Sequence, residues 1–282
     1  MSAAWQDGFI KANGLVIHFT RTGGNKPPVI LNHGALDDGL CWTRVAKTLQ
    51  EDYDLIMLDA RGHGLSEIGH GDYSSVQRAA DIAEVVRALG LNRPVIGGHS
   101  LGADAAMHLA AIYPDLPRAI FLEDPPVTFP GQPIFGGKLA EGKNPAKLMV
   151  AFMRTFRILP TFLGRIAAKK LMPTYPDDEI NPWLASKKRC SRDFIKSMTT
   201  SPLHSLSGIP HKLLSQIKVP VLLFIGDREK GSIVSQEAAQ EMEKSLREIR
   251  IVHLEGANHD IRRVRFDAYV QVLREFLEDC HS

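Results

Sequence analysis

The chain has 282 residues, 44% of them hydrophobic and 23% charged, at a formal net charge of +2. This suits one soluble globular unit with a full core, and it gives no electrostatic case for a nucleic-acid partner. No apolar run approaches the roughly 20 residues that cross a bilayer, and Met1 to Asp7 lacks a basic segment leading into an apolar one, so no membrane partner and a cytoplasmic location are expected.

In chain order, Phe9 to Phe19 reads as a hairpin around the turn dipeptide Asn13-Gly14. Val29–Asn32, Leu55–Leu58, Pro94–Ile96, Ala119–Leu122, Val221–Ile225 and Ile251–Leu254 are short, nearly continuous apolar runs, the pattern of buried strands in a largely parallel sheet. Between them Val76 to Leu89 reads as a helix with Val76, Ala79, Ala80, Ala83, Val86 and Leu89 roughly on one face. The alternation predicts an α/β fold, a mostly parallel central sheet flanked by helices. From about Pro130 to Pro210 it stops. No strand is evident there, and Leu148–Leu159 and Phe162–Ile166 read as helices with broad apolar faces. The expected organisation is a core of residues 1–129 and 211–282 with a helical cap, 130–210, inserted between its strands.

Gly98-His99-Ser100-Leu101-Gly102 stands between the Pro94–Ile96 run and the small-residue run Ala103 to Ala111. A strand, a sharp turn and a helix fit it, with glycines letting strand and helix approach and Ser100 presented as a nucleophile. Glu255-Gly256-Ala257-Asn258-His259-Asp260 follows the last strand, which puts His259 at the same sheet edge as the serine. A serine hydroxyl is a poor nucleophile unless an imidazole takes its proton, so the pair makes chemical sense. After the Val29–Asn32 strand, His33-Gly34-Ala35-Leu36-Asp37-Asp38-Gly39 places the Ala35 N–H where an oxyanion forms, with the Leu101 N–H as its partner. His33 with Asp37 superficially matches a His-x-x-x-Asp pattern, but beside that loop it is expected to hold the loop by hydrogen bonding. Asp59-Ala60-Arg61-Gly62-His63-Gly64 reads as a tight structural loop rather than a metal or phosphate site. Cys41, Cys190 and Cys280 form no Cys-x-x-Cys pair, and the remaining histidines lack partners at ligand spacing, so no disulfide framework and no metal are expected.

The set running from His33-Gly34 through Asp59 to Ser66, Gly98 to Gly102 and Gly256 to His259 resembles the α/β-hydrolase superfamily, serine esterase or lactonase type with an inserted helical cap. The resemblance covers most of the chain except residues about 130 to 210, and it implies no cofactor. It also implies a carboxylate partner for His259. Most relatives carry it after the strand equivalent to Val221–Ile225, where this chain offers Glu229 only with an insertion. A minority carry it 24 residues beyond the nucleophile, which here is Asp124, stiffened by Pro125 and Pro126. Asp124 is the favoured acid, Glu229 the alternative, and Glu123 and Asp227 stay open. Met149, Phe152, Met153, Phe156 and Phe162 would either wall an apolar pocket or pack cap against core.

From Gly131 to Thr200 the chain carries 13 Lys and Arg against 5 Asp and Glu. Such a basic insert either favours anionic substrates or is a solvated outer face. The function implied is hydrolysis of a small carboxylic ester or lactone through an acyl-enzyme. Hydrolysis of a carbon–carbon bond in a ring-cleavage product, supported only by the basic cap, and a small-molecule receptor with little turnover are the alternatives.

Overall fold

Asn13 and Gly14, at φ +49° and +78°, make the left-handed turn that folds strand β1 (Gln6–Ala12) back onto β2 (Leu15–Arg21). The structure is a computed structural model describing residues 5–129, 145–200 and 208–282. After the hairpin come β3 (Pro28–Asn32), helix α1 (Thr43–Leu49), β4 (Asp54–Leu58), α2 (Ser75–Ala88), β5 (Val95–His99), α3 (Leu101–Ile112) and β6 (Ala119–Glu123). The second half returns to the sheet as β9 (Val221–Ile225), α8 (Gln236–Ser245), β10 (Ile249–His253), the single turn α9 (Ile261–Val264) and α10 (Phe266–His281).

Eight strands form one sheet in the order β1-β2-β4-β3-β5-β6-β9-β10. Only β2 runs against its neighbours; every pairing from β4 to β10 is parallel. Alternation along the strands divides the apolar side chains between two layers. Ile30, Ile96 and Leu122 face the layer covered by α2, α3 and α8, whereas Val29, Leu31, Val95 and Phe121 face the layer covered by α1 and α10. The predicted mostly parallel sheet with flanking helices is the observed architecture.

One helix differs from its sequence reading. In α2, Val76 is 51% exposed, and the buried face includes Arg78 and Asp81. Both are ion-paired inward, Arg78 to Asp104 at 3.1 Å and Asp81 to Arg61 at 2.6 Å, so paired charges displace the stripe that the apolar residues alone suggested.

Two short strands, β7 (Val127–Thr128) and β8 (Ile209–Pro210), pair in parallel where the chain leaves β6 and where it returns. The described residues between them form four helices: α4 (Pro145–Ile158), α5 (Thr161–Leu171), α6 (Asp177–Arg189) and α7 (Arg192–Thr200). The sequence reading anticipated α4 and α5 but not α6 and α7. Helix α6 carries Asp177, Asp178 and Glu179 in its first turn and Lys187, Lys188 and Arg189 in its last, the charge order that complements a helix dipole. Among the described residues no helix is long and apolar enough to cross a membrane.

Candidate active site

The turn between β5 and α3 holds Ser100 at φ +52°, ψ −116°, a conformation side chains avoid. It is so tight that a Cβ on Gly98 would stand 2.3 Å from the Gly102 carbonyl carbon, and one on Gly102 would stand 2.2 Å from the Asn32 oxygen. Both obstacles are backbone and cannot swing aside. Gly102→Ala is therefore expected to cost about 3 kcal/mol or more of stability, measured by urea unfolding; a loss under 1 kcal/mol would contradict this packing.

Asp124, at φ +46° just past β6, is fully buried. Its Oδ1 accepts from the Ser232 hydroxyl at 2.7 Å and the Val234 N–H at 2.9 Å, and its Oδ2 accepts from the Ile233 N–H at 2.7 Å and His259 Nδ1 at 2.6 Å. Four donors saturate the carboxylate, so burial is compensated and both oxygens are fixed in direction. The segment after β9, where most relatives would carry the acid, here supplies three of those donors. Glu229 lies on an exposed turn of that segment. Glu123 is held by Arg262 at 2.8 Å and Asp227 by His253 at 2.8 Å. Of the four carboxylates left open by the sequence, the structure brings Asp124 to His259.

His259 sits on the loop between β10 and α9. Burial alone would lower its pKa, but the hydrogen bond and charge of Asp124 outweigh burial and raise it above the ordinary 6.5. With Nδ1 bound to Asp124, Nε2 is the ring atom left for proton transfer. Ser100 and His259 line one cavity of about 220 Å³. No hydrogen bond joins them among the described residues, a contact that commonly tightens only when substrate is in place.

The loop after β3 completes the arrangement. His33 Nε2 accepts from the Ala60 N–H at 3.0 Å, which makes Nδ1 the protonated atom, donating to the Gly34 carbonyl at 2.7 Å. That carbonyl belongs to the same planar peptide as the Ala35 N–H, so fixing one aims the other. The expectation that His33 holds this loop is met. The Leu101 N–H, first of α3, has no helical partner. Beneath the loop, the ring nitrogens of buried His63 lie 3.0 Å from the carbonyls of Arg61 and Ala35, and burial pulls its pKa down to about 3, so the neutral ring donates to one of the two. Asp59 accepts from the N–H groups of Gly39 and Leu65 at 2.7 and 2.8 Å, the structural role read from its sequence.

The same loop is gripped from α6. Lys187 donates to the Leu36 carbonyl, from which the Ser186 hydroxyl stands 3.2 Å, and Arg189 Nε donates to Asp38 at 2.9 Å. Glu179, on the first turn of α6, accepts from Arg263 at 2.7 Å, and Arg263 also reaches Asp37 and Asp260.

Of the five apolar candidates, Met149 and Phe152 line the cavity. Met153 and Phe156 do not; they are buried in packing clusters, Met153 with Ala35 and Leu101, and Phe156 with Trp183. Phe162 is 65% exposed on α5 and is corrected from pocket wall to outer surface. Helical spacing groups such residues on a face without saying what the face meets. Trp183, Tyr175, Met172 and Arg263 line the cavity and were not anticipated. The opposed charges at the two ends of α6 are a signal in the sequence that could have marked the helix carrying Trp183. None of the described Lys or Arg between residues 131 and 200 lines the cavity.

This constellation, at one edge of a mostly parallel eight-stranded sheet, is that of an α/β-hydrolase: the family described as alpha/beta hydrolase fold matches residues 27–261, and the chain belongs to it. Along its length the chain is 28% identical to N-formylmaleamate deformylase of Pseudomonas putida, over 283 aligned residues covering 99% of this chain and 98% of that protein. It is 34% identical over 104 residues, 37% of each chain, to 2-(acetamidomethylene)succinate hydrolase of Mesorhizobium japonicum. The solved thermophilic esterase of Thermogutta terrifontis shares the fold, with a TM-score of 0.70 at 21% identity over 98% of this chain and all of that one.

Proposed function

We propose that this hydrolase cleaves the acyl C–N bond of a small amide by acyl transfer through Ser100. The observation carrying the reading is the 2.6 Å bond from His259 to buried Asp124, beside the cavity that Ser100 and His259 both line. In the sequence of steps, Ser100 Oγ attacks the carbonyl carbon as its proton passes to His259 Nε2, and the oxyanion accepts from the Ala35 and Leu101 N–H groups. Collapse breaks the C–N bond, and the proton on His259 goes to the departing nitrogen. Water then attacks the acyl-enzyme, gives a proton to His259, and Ser100 is released as the hydroxyl. The two relatives named for a deformylase and for an acetamidomethylene compound support the C–N bond.

Ester or lactone hydrolysis is the second reading, because main-chain donors address a carbonyl oxygen whatever the leaving atom. Carbon–carbon cleavage is less favoured, since none of the described basic residues between 131 and 200 lines the cavity. The helices between β7 and β8 are proposed to act as a cap, a reading that the grip of α6 on Leu36 and Asp38 supports. The test is a fluorophosphonate probe with peptide mapping, alongside turnover of N-formyl and N-acetyl amides, short p-nitrophenyl esters and lactones. Labelling of Ser100 with amide turnover is expected. A label elsewhere, or none, overturns acyl transfer and returns the receptor alternative.

A further inference from the structure

We propose that the cavity contains a cage of hydrogen-bond acceptors, formed by His99, Asp37 and Asp260, that receives an N–H group of the substrate, a carboxamide or amine. The proposal rests on the acyl-transfer reading and deepens it by naming what the pocket selects. A ring nitrogen of His99 and one carboxylate oxygen each from Asp37 and Asp260 lie within 4.8 Å of one another. All three residues line the cavity that Ser100 and His259 line. His99 directly precedes the nucleophile and Asp260 directly follows the base, so the cage belongs to the loops that carry the reaction.

Two acceptors on these residues lack hydrogen-bond donors. His99 Nε2 donates to the His259 carbonyl at 3.0 Å, which leaves Nδ1 as a bare lone pair, and burial keeps the ring neutral by pushing its pKa well down. His99 Nδ1 and Asp37 Oδ1 are buried without a hydrogen-bond partner among the described residues, and each residue is 4% exposed. Lys187 Nζ forms an ion pair with Asp37 Oδ1 at 3.5 Å that supplies no hydrogen bond. Buried acceptors left unmatched are costly, and a ligand that brings the missing hydrogens recovers that cost. Asp260, its side chain 20% exposed, already accepts from Tyr175 at 2.5 Å and Arg263 at 2.7 Å, and each carboxylate oxygen keeps a second lone pair.

The cation that lines the same cavity is already engaged. Arg263 donates to Asp37 at 3.1 and 3.2 Å, Glu179 at 2.7 Å, Asp260 at 2.7 Å and Tyr175 at 3.3 Å, with its side chain 1% exposed. A substrate carboxylate placed here would face the carboxylates of Asp37 and Asp260, to which Arg263 is already bonded. A divalent metal is disfavoured as well, since Arg262, Arg263 and Lys187 stand 4.0, 3.1 and 3.5 Å from Asp37. An N–H donor satisfies the lone pairs without adding a concentrated charge. The cage thus favours an amide over the matching ester, whose leaving oxygen brings no hydrogen.

The test is calorimetric titration of succinamide and of succinate into the wild-type protein and Asp260→Asn, with fluorophosphonate labelling of Ser100 as a check that each protein is folded at the site. Succinamide is expected to bind wild type at least tenfold tighter than succinate, and Asp260→Asn is expected to lose that advantage. Equal or tighter succinate binding, no measurable succinamide binding, or an advantage that survives in a labelled Asp260→Asn overturns the cage. Zinc raising the wild-type melting temperature but not that of Asp260→Asn would also overturn it by reassigning the site to a metal. Should Asp260→Asn fail to label, the wild-type pair of titrations decides alone. Failure of Ser100 to label in wild type sinks the acyl-transfer reading itself, an outcome separate from the binding preference.

Discussion

Replacing Ser100 with alanine is expected to remove turnover by a factor on the order of 10⁵ or more, while near-ultraviolet circular dichroism and the melting temperature stay close to wild type. The attacking atom is lost, yet Cβ and the backbone turn remain. Ser100→Gly is expected to be equally inactive but more stable, by about 1 kcal/mol, because glycine occupies φ +52° without the steric cost that serine bears there. Thermal unfolding of the three proteins reads both effects. An active alanine variant would end the assignment of Ser100, and a glycine variant less stable than the alanine one would contradict the strain.

The second large effect is at Asp124. Asp124→Asn is expected to lower kcat by about 10⁴-fold, because an amide can hold the imidazole in the wrong tautomer and supplies no charge to the imidazolium. The pH profile separates this from general damage. Only neutral His259 accepts the serine proton, so wild-type kcat/KM is expected to rise with pH through a midpoint above 6.5, the direction in which Asp124 shifts the ring. With the charge gone and burial left to act, the midpoint of Asp124→Asn moves to lower pH. Glu229→Gln, on its exposed turn, is expected to leave rate and midpoint within twofold of wild type. A tenfold loss at Glu229 instead would reverse the choice of acid.

The placement of Ser100, His259 and Asp124 side by side was readable because each follows a strand whose apolar run is unmistakable, and β5, β6 and β10 end at one edge. Between Asp124 and Glu229 the spacing from Ser100 favoured the first. What spacing did not convey was the role of Ser232, Ile233 and Val234, because main-chain donors carry no residue signature. The cavity wall was less legible. Phe162 and Phe152 have the same helical periodicity, and only the packing of α4 against α6 makes one a lining residue and leaves the other outside. Arg263 was invisible for a related reason: its partners Asp37, Glu179 and Asp260 come from three separate stretches of chain, and only the fold brings them together.

The attachment of α6 to the loop after β3 sets the order in which heat should undo this protein. The Leu36 carbonyl and the Asp38 carboxylate are restrained by a few contacts from one helix, whereas the eight strands are restrained by a continuous ladder between two apolar layers. Fewer restraints let go first. Warming should therefore extinguish turnover several degrees before the sheet melts, leaving an interval in which the molecule is still folded and no longer an enzyme.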